Sequence, residues 1–374
     1  MKILIAGDYA PINRLAPLIE KGAYDSIFSE IIPITKQMDY SIVNFESPIV
    51  SKDDSPIYKS GPHLQCTSKA VEAIKYAGFN CATLANNHIR DFGDIGLKRT
   101  ISTLNQYGID HVGAGRNLSS AAEILFHQSG EEKIAIINCC EHEFSIATND
   151  DYGANPMILT KIYDSIIKAK SEANYVLIIV HGGHEFYQLP SPRMQDTYRF
   201  FIDVGADIII NHHQHCYSGY EFYKNKPIIY GVGNFCMDMS AISKEQLWHY
   251  GYMVVWDTTK KNDIQIVPYN QCGIELNVHV LRDNAFEKVL EELNSIILNK
   301  SLLEEATEKY YLSSAKEVQG ILEPIQNKYL AALRRRHLIP SMISRKWLIK
   351  LQNYLLCESH RDKVEFYLSH RQDA

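Results

Sequence analysis

Six times in the first 240 residues a short apolar run ends in side chains able to bind a cation. Asp8 follows the run at 3–6, Asn44 and Glu46 follow 40–43, and Asn86, Asn87 and His88 follow 82–84. Farther along, His181 and His184 follow 176–180, His212, His213 and His215 follow 208–210, and Asn234 follows 228–230. Helical patterns at 67–76, 96–107, 160–172 and 194–204 separate many of these runs, and the first two stop before Gly78 and Gly108, as helix C-termini often do. Short apolar runs alternating with helices are the rhythm of an α/β fold. In such folds ligands gather beyond the carboxyl ends of the strands, so the six run ends should converge on one rim.

The residues at those ends are carboxylates, carboxamides and imidazoles, without thiolates. That donor mixture suits Mn²⁺, Fe²⁺ or Zn²⁺. If His213 and His215 sit on an extended strand end, alternation turns both imidazoles the same way, and each can reach a different ion of a pair. Asp8 or Glu46 could bridge the two ions. Any one of these residues alone has an ordinary explanation as a turn, cap or core residue. The His212-His213-Gln214-His215 string is harder to explain structurally, since three imidazoles in four residues serve little packing purpose.

Candidate substrate contacts are Arg116, Glu185 and Asn234. Arg116 follows Gly113-Ala114-Gly115, where a close-lying backbone and a guanidinium can grip phosphate or carboxylate. Glu185 either orients an imidazole or faces solvent, and Asp91 either orients His88 or shapes the turn before Gly93.

Taken in order, Gly7-Asp8, Asn44-Phe45-Glu46-Ser47-Pro48, Leu84-Ala85-Asn86-Asn87-His88, Gly113-Ala114-Gly115-Arg116, His181-Gly182-Gly183-His184-Glu185-Phe186, Asn211-His212-His213-Gln214-His215 and Gly231-Val232-Gly233-Asn234-Phe235 form a specific set. This set resembles the CapA (poly-gamma-glutamate capsule-synthesis) family, a branch of the calcineurin-like metallophosphoesterase superfamily, over residues 1–240. The resemblance implies a four-layer αββα sandwich of metallophosphoesterase type carrying two divalent metal ions. It implies Asp8 and His215 on the first ion, Glu46 bridging, and Asn87, His181 and His213 on the second. His88 takes the position that contacts a scissile phosphate and protonates the leaving group, with Asp91 behind it. The sequence departs from the superfamily pattern at Ala10, where a histidine ligand is usual, which leaves Asn44 or Ser47 to complete the first ion. It departs again at Gly182, Asn211 and Gln214.

From about residue 283 the texture becomes helical, with patterns at 286–298, 301–336, 341–356 and 359–369. Residues 1–282 are therefore expected to form the catalytic domain, and 283–374 a helical C-terminal appendage that is basic from 334. The last forty-one residues carry nine Lys/Arg against four Asp/Glu, whereas the whole chain has net charge −6. Trp347, Leu348, Leu351, Tyr354 and Leu355 share one helical face, expected to pack on the body or on a partner, with a membrane or capsule-complex surface as the alternative.

The acidic body argues against charge-driven nucleic-acid binding. No apolar run is long enough to span a bilayer. Eight cysteines without a CxxC pair suit a reducing compartment. The expected protein is a cytoplasmic metal-dependent hydrolase, either free or peripheral to the inner membrane face, acting on a phosphate- or carboxylate-bearing small molecule or polymer in capsule biosynthesis. A gamma-glutamyl amide hydrolase and a non-catalytic assembly factor are the alternatives.

Overall fold

The strand Lys2–Ala10 alternates its side chains between two cores. Leu4 and Ala6 enter one, Ile3 and Ile5 the other, and all four are fully buried. A strand with neither face in water must lie inside a layered sandwich. The computed structural model has that sandwich; it describes residues 1–239, 246–260, 263–282, 285–322 and 344–370, with 329–330, 333, 336 and 338 in between.

In the first sheet, Lys2–Ala10 lies between Tyr250–Asp257, antiparallel to it, and Tyr40–Phe45, parallel to it. Asp263–Gln271 and Val278–Val280 extend one side, and Cys81–Thr83 and Asp110–Val112 the other. Asn234–Met237 pairs in parallel with the far end of Lys2–Ala10. The second sheet runs Tyr220–Tyr223, Lys226–Ile229, Ile208–His212, Tyr175–His181, Glu132–Cys140, Leu125–Ser129. Ile5, Ile42, Ile136, Ile179 and Ile210 fill the space between the sheets. Helices Lys69–Tyr76 and Gly93–Gln106 cover the outer face of the first sheet through Val71, Ile74, Leu97 and Leu104. Leu159–Glu172 and Pro192–Val204 cover the second through Ile162, Ile166, Met194 and Phe201. Each such aliphatic or aromatic side chain contributes about 1.5–3 kcal/mol by leaving water. The layers read helix, sheet, sheet, helix, which is the four-layer α/β sandwich expected.

Strand register carries the polar residues to one rim. Asp8 pairs with both Asn44 and Asn234, Asn44 pairs with Thr83, and in the other sheet His181 pairs with His212 and Cys140. The pairing of the first two strands shifts between Ile5 and Asp8, next to Gly7. A Cβ on Gly7 would stand 1.9 Å from the carbonyl oxygen of Gly233, so only glycine lets these backbones approach.

The helix Ala285–Leu298 is seated on the sandwich, with Phe286 and Leu290 in the inter-sheet core. Lys300–Leu322, Arg345–Leu356 and Glu358–His370 follow as the helical appendage, sharing a small core of Val318, Tyr354 and Val364. The apolar face expected around 347–355 is divided: Tyr354 is 4% exposed, whereas Leu348 and Leu355 are 51% and 50% exposed. The sequence-predicted continuation of the 301–336 helix past 322 falls outside the described residues apart from scattered positions, as do Arg334, Arg335 and Pro340.

The appendage is tied to the loop that leaves Glu132–Cys140. His142 Nδ1 lies 2.7 Å from Glu358 Oε1, and Arg193 Nε lies 2.7 Å from Asp362 Oδ1. Arg193 Nη2 also reaches Glu141 Oε1 at 2.8 Å, and the Ser359 N–H donates to Glu141 Oε2 at 3.2 Å. All eight cysteines are buried, and none forms a disulfide among the described residues. No helix among the described residues is long and apolar enough to cross a membrane.

Candidate metal centre

Glu46 leaves the end of Tyr40–Phe45 and is fully buried, and neither of its carboxylate oxygens has a hydrogen-bond partner among the described residues. An isolated buried carboxylate costs several kcal/mol, so such a group calls for a cation or a proton. Burial pushes its carboxyl well above the usual range, and the neighbouring Asp8 adds to the effect. Two imidazoles face it, with His181 Nε2 at 3.6 Å and His215 Nε2 at 3.9 Å from Oε1.

Those two histidines belong to two clusters that share Glu46. In the first, His181 Nε2 stands 3.0 Å from Asn87 Oδ1 and 3.1 Å from His213 Nδ1. Burial, reinforced by His213, holds His181 far below its ordinary pKa and therefore neutral, the form in which imidazole ligates metals. In the second, His215 Nδ1 lies 3.7 Å from Asp8 Oδ2 and 2.9 Å from Asn234 Oδ1. The donor atoms of Glu46, His181 and His213 lie within 4.8 Å of one another, as do those of Asp8, Glu46 and His215. Two ligand triads joined at one carboxylate fit a pair of ions.

Asn44 sits between the clusters. Its amide nitrogen donates to Asp8 Oδ1 at 2.7 Å and lies 3.3 Å from His181 Nδ1, while its oxygen accepts from Thr83 and Asn86, both at 3.3 Å. Ala10, at the departure noted in the sequence, is buried beside Leu64, Met237 and Trp248.

The way His213 and His215 reach different clusters corrects the expectation drawn from strand alternation. The strand ends at His212, and the backbone at His213 and His215 turns left-handed, with φ of 89° and 53°. The divergence comes from that turn, which costs about 1–3 kcal/mol per residue and is the kind of strain held at functional sites.

His88 lies next along the rim. Its Nδ1 is 2.7 Å from Asp91 Oδ2 and 3.2 Å from Lys59 Nζ, and Lys59 also ion-pairs with Asp91. The Leu64 N–H donates to Asp91 at 2.7 Å, fixing the carboxylate from behind. With Nδ1 so engaged, Nε2 is the ring nitrogen left for a ligand. His88 lines a cavity of about 560 Å³ together with Asn87, Glu185 and His215.

Of the other sequence candidates, Glu185 stands exposed on that cavity's rim. Asn234 is buried and spent on His215 and on the Trp248 carbonyl. Arg116 is exposed after Ala114–Gly115 and is not among the cavity's lining residues.

The structure also brings in residues that the sequence reading passed over. Lys59 reaches His88 from a loop without periodicity. Glu143 Oε2 accepts from Asn87 Nδ2 at 3.3 Å, and its Oε1 lies 3.6 Å from His213 Nε2, so it steadies two members of the first cluster. A signal for Glu143 was present, because Glu141-His142-Glu143 follows an apolar run just as the other candidates do. Lys350, His360 and Lys363 bring the C-terminal helices into the cavity wall.

Fold and site thus define a four-layer α/β sandwich with a candidate two-metal centre at its strand ends. The chain belongs to the bacterial capsule synthesis protein PGA_cap family, whose model matches residues 2–239. It is 32% identical over 249 residues to the capsule biosynthesis protein CapA of Bacillus anthracis, a match covering 64% of this chain and 60% of that one. It is also 32% identical over 226 residues to the PGA biosynthesis protein CapA of Bacillus subtilis (strain 168), covering 59% and 58%. The chain therefore spans about three-fifths of the length of these relatives. Solved structures of similar shape include a hypothetical protein from Thermus thermophilus, with TM-score 0.47, 14% identity, and coverage of 72% of this chain and 99% of that one. Another is a phosphatase from Mycoplasma pneumoniae, with TM-score 0.46, 16% identity, and coverage of 73% and 95%.

Proposed function

We propose that this protein is a dinuclear-metal hydrolase that cleaves a phosphoester in the synthesis of a capsule or related surface polymer. The observation that carries the reading is Glu46, a fully buried carboxylate that accepts no hydrogen bond among the described residues and stands between two ligand clusters. Asp8, Glu46 and His215 would hold one ion, and Glu46, Asn87, His181 and His213 the other. The oxygen and nitrogen donors fit Mn²⁺, Fe²⁺ or Zn²⁺. When bound, such a pair supplies Lewis acidity and positive charge for phosphoryl chemistry.

The chain's own residues do the rest. Asn44 and Asn234 aim Asp8 and His215 by hydrogen bonds. Asp91 and Lys59 fix the His88 ring so that its Nε2 can hold a proton for the departing oxygen. Lys59, Lys350 and Lys363 line the cavity together with Glu143 and Glu185, and the lysines are the groups that would meet an anionic substrate.

The lysines' positive charge suits carboxylates as well as phosphates, and one relative is named for PGA biosynthesis. A gamma-glutamyl amide is therefore the second substrate class. Peripheral contact with a membrane or a capsule complex, through the exposed Leu348 and Leu355 beside Arg345 and Lys346, is a further part of the reading.

The test is to purify the full chain, measure its metal, and assay a generic phosphodiester and a gamma-glutamyl peptide with each of the three ions. At least two equivalents of metal and cleavage abolished in Glu46→Gln support the proposal. No bound metal and no cleavage with any ion refute it in favour of a non-catalytic assembly factor.

A further inference from the structure

Beside the two triads a third group of ligand atoms meets, and it differs from them in containing sulfur. Glu143, from the loop after Glu132–Cys140, faces Cys357 and His360 of the appendage, and their donor atoms all lie within 4.8 Å of one another. We propose that these three residues form a separate zinc site, which joins the C-terminal helices to the wall of the cavity.

The local structure explains how a Cys-x-x-His string serves this purpose. Cys357 stands immediately before Glu358–His370 with an extended backbone, φ −68° and ψ 126°. His360 lies three positions on, in the helix's first turn. Side chains at these two positions turn toward the same end of a helix, as the reciprocal bonds of a capping box require. Sulfur and imidazole therefore face one point.

The spacing is close to what the metal needs. With bonds of about 2.0–2.3 Å, neighbouring ligands on tetrahedral zinc stand about 3.3–3.8 Å apart. Cys357 Sγ is 3.9 Å from Glu143 Oε1, and the His360 donor lies within 4.8 Å of both. Small side-chain movements would complete the contraction.

Charge argues the same way. Of the three carboxylates around this loop, Glu141 pairs with Arg193, whereas Glu358 and Glu143 face imidazoles, those of His142 and His213. Glu143 has a side chain only 9% exposed and, among the described residues, no lysine or arginine ion pair. A divalent ion would supply the missing charge. The His360 ring is already oriented for the role, stacked on Tyr354 at 4.8 Å with planes 11° apart and with Nδ1 3.1 Å from Asn353 Nδ2. Such outer contacts commonly fix a ligating histidine.

A thiolate, an imidazole and a carboxylate together select zinc over the harder ions suited to the sulfur-free pair. Three protein ligands leave a fourth position. Glu143 and His360 both line the cavity, so that position opens onto the space where substrate would bind.

The experiment uses the full chain, stripped of metal and reloaded with Zn²⁺ or Co²⁺. Wild type should bind one equivalent more zinc than Cys357→Ser or His360→Gln. The Co²⁺ form should show a thiolate-to-metal charge-transfer absorption that is lost in Cys357→Ser. His181→Ala, which removes a ligand of the dinuclear pair, should keep that absorption, so failure of the catalytic reading is distinguishable from failure of this one. Circular dichroism identifies any variant that does not fold, and the wild-type absorption stands independently of the variants. Absence of the thiolate band in wild type, or its survival in Cys357→Ser, overturns the proposal.

Discussion

Replacing Arg193 with alanine should release the C-terminal helices while leaving the sandwich folded. The guanidinium ties together two carboxylates that are nearly inaccessible: the side chain of Glu141 is 4% exposed and that of Asp362 is 9% exposed. Breaking a buried pair by removing one partner costs about 3–5 kcal/mol, because the other charge is left uncompensated. Arg193 itself is 26% exposed, so solvent screening reduces that figure to about 2–3 kcal/mol. The ratio of docked to undocked appendage should then fall by roughly 30- to 150-fold. Loss falls on docking because Arg193 lies at the start of Pro192–Val204, whose buried face, including Met194 and Phe201, is untouched by the change.

Hydrogen exchange followed by peptide mass spectrometry reads this directly. Peptides within 344–370 should lose protection by that factor, while peptides of Lys2–Ala10 and Tyr175–His181 keep theirs. Adding Asp362→Asn should restore part of the protection, since it removes one of the stranded charges. Unchanged protection in 344–370, or an equal loss throughout the molecule, would refute the reasoning.

Other perturbations have equally definite outcomes. Gly7→Ala should destabilise the whole fold by about 3 kcal/mol or more, seen as a lowered thermal midpoint, because the new Cβ would meet the Gly233 carbonyl oxygen at 1.9 Å. Lys59→Met should leave metal content unchanged but lower phosphodiester turnover by at least about tenfold, through loss of the cation that braces Asp91 and His88. At Glu30, burial pushes the carboxyl up, but hydrogen bonds from His279 and the Val280 N–H outweigh it and hold the pKa below 4.5. A depressed carboxylate stabilises the fold above its unfolded pKa and loses that contribution as pH falls through the folded value. The thermal midpoint should therefore drop less between about pH 4.5 and 3 in Glu30→Gln than in wild type.

The central strands were legible in the sequence because both of their faces are buried, which writes them as continuous apolar runs. Residues 175–180 show this, and the strand is Tyr175–His181. The same burial made the polar residue ending each run conspicuous, so Asp8, Glu46, His181, His213 and His215 could be named before any contact was known. Strands at or near the sheet edges gave no such signal. Leu125–Ser129 is only half-buried and carries His127 and Gln128, and Asp263–Gln271 is partly exposed along its length and contains Pro268. The depth of Phe286 in the inter-sheet core was hidden for a related reason, since a helical pattern shows which face is apolar but not what covers it. Lys59 and His360 were invisible because their roles depend on contacts between distant parts of the chain. The Cys357 contact with Glu141, for example, joins residues 216 positions apart.

Glu143 gives this arrangement a thermodynamic property that neither end has alone. One carboxylate touches Asn87 and His213 on the inner side and Cys357 on the outer side. Whatever free energy couples the position of that group to ion binding must act equally in both directions. If both groups hold ions as proposed, any factor by which loading the inner cluster changes the affinity of the Glu143, Cys357 and His360 group is returned unchanged in the other direction, through a single shared side chain.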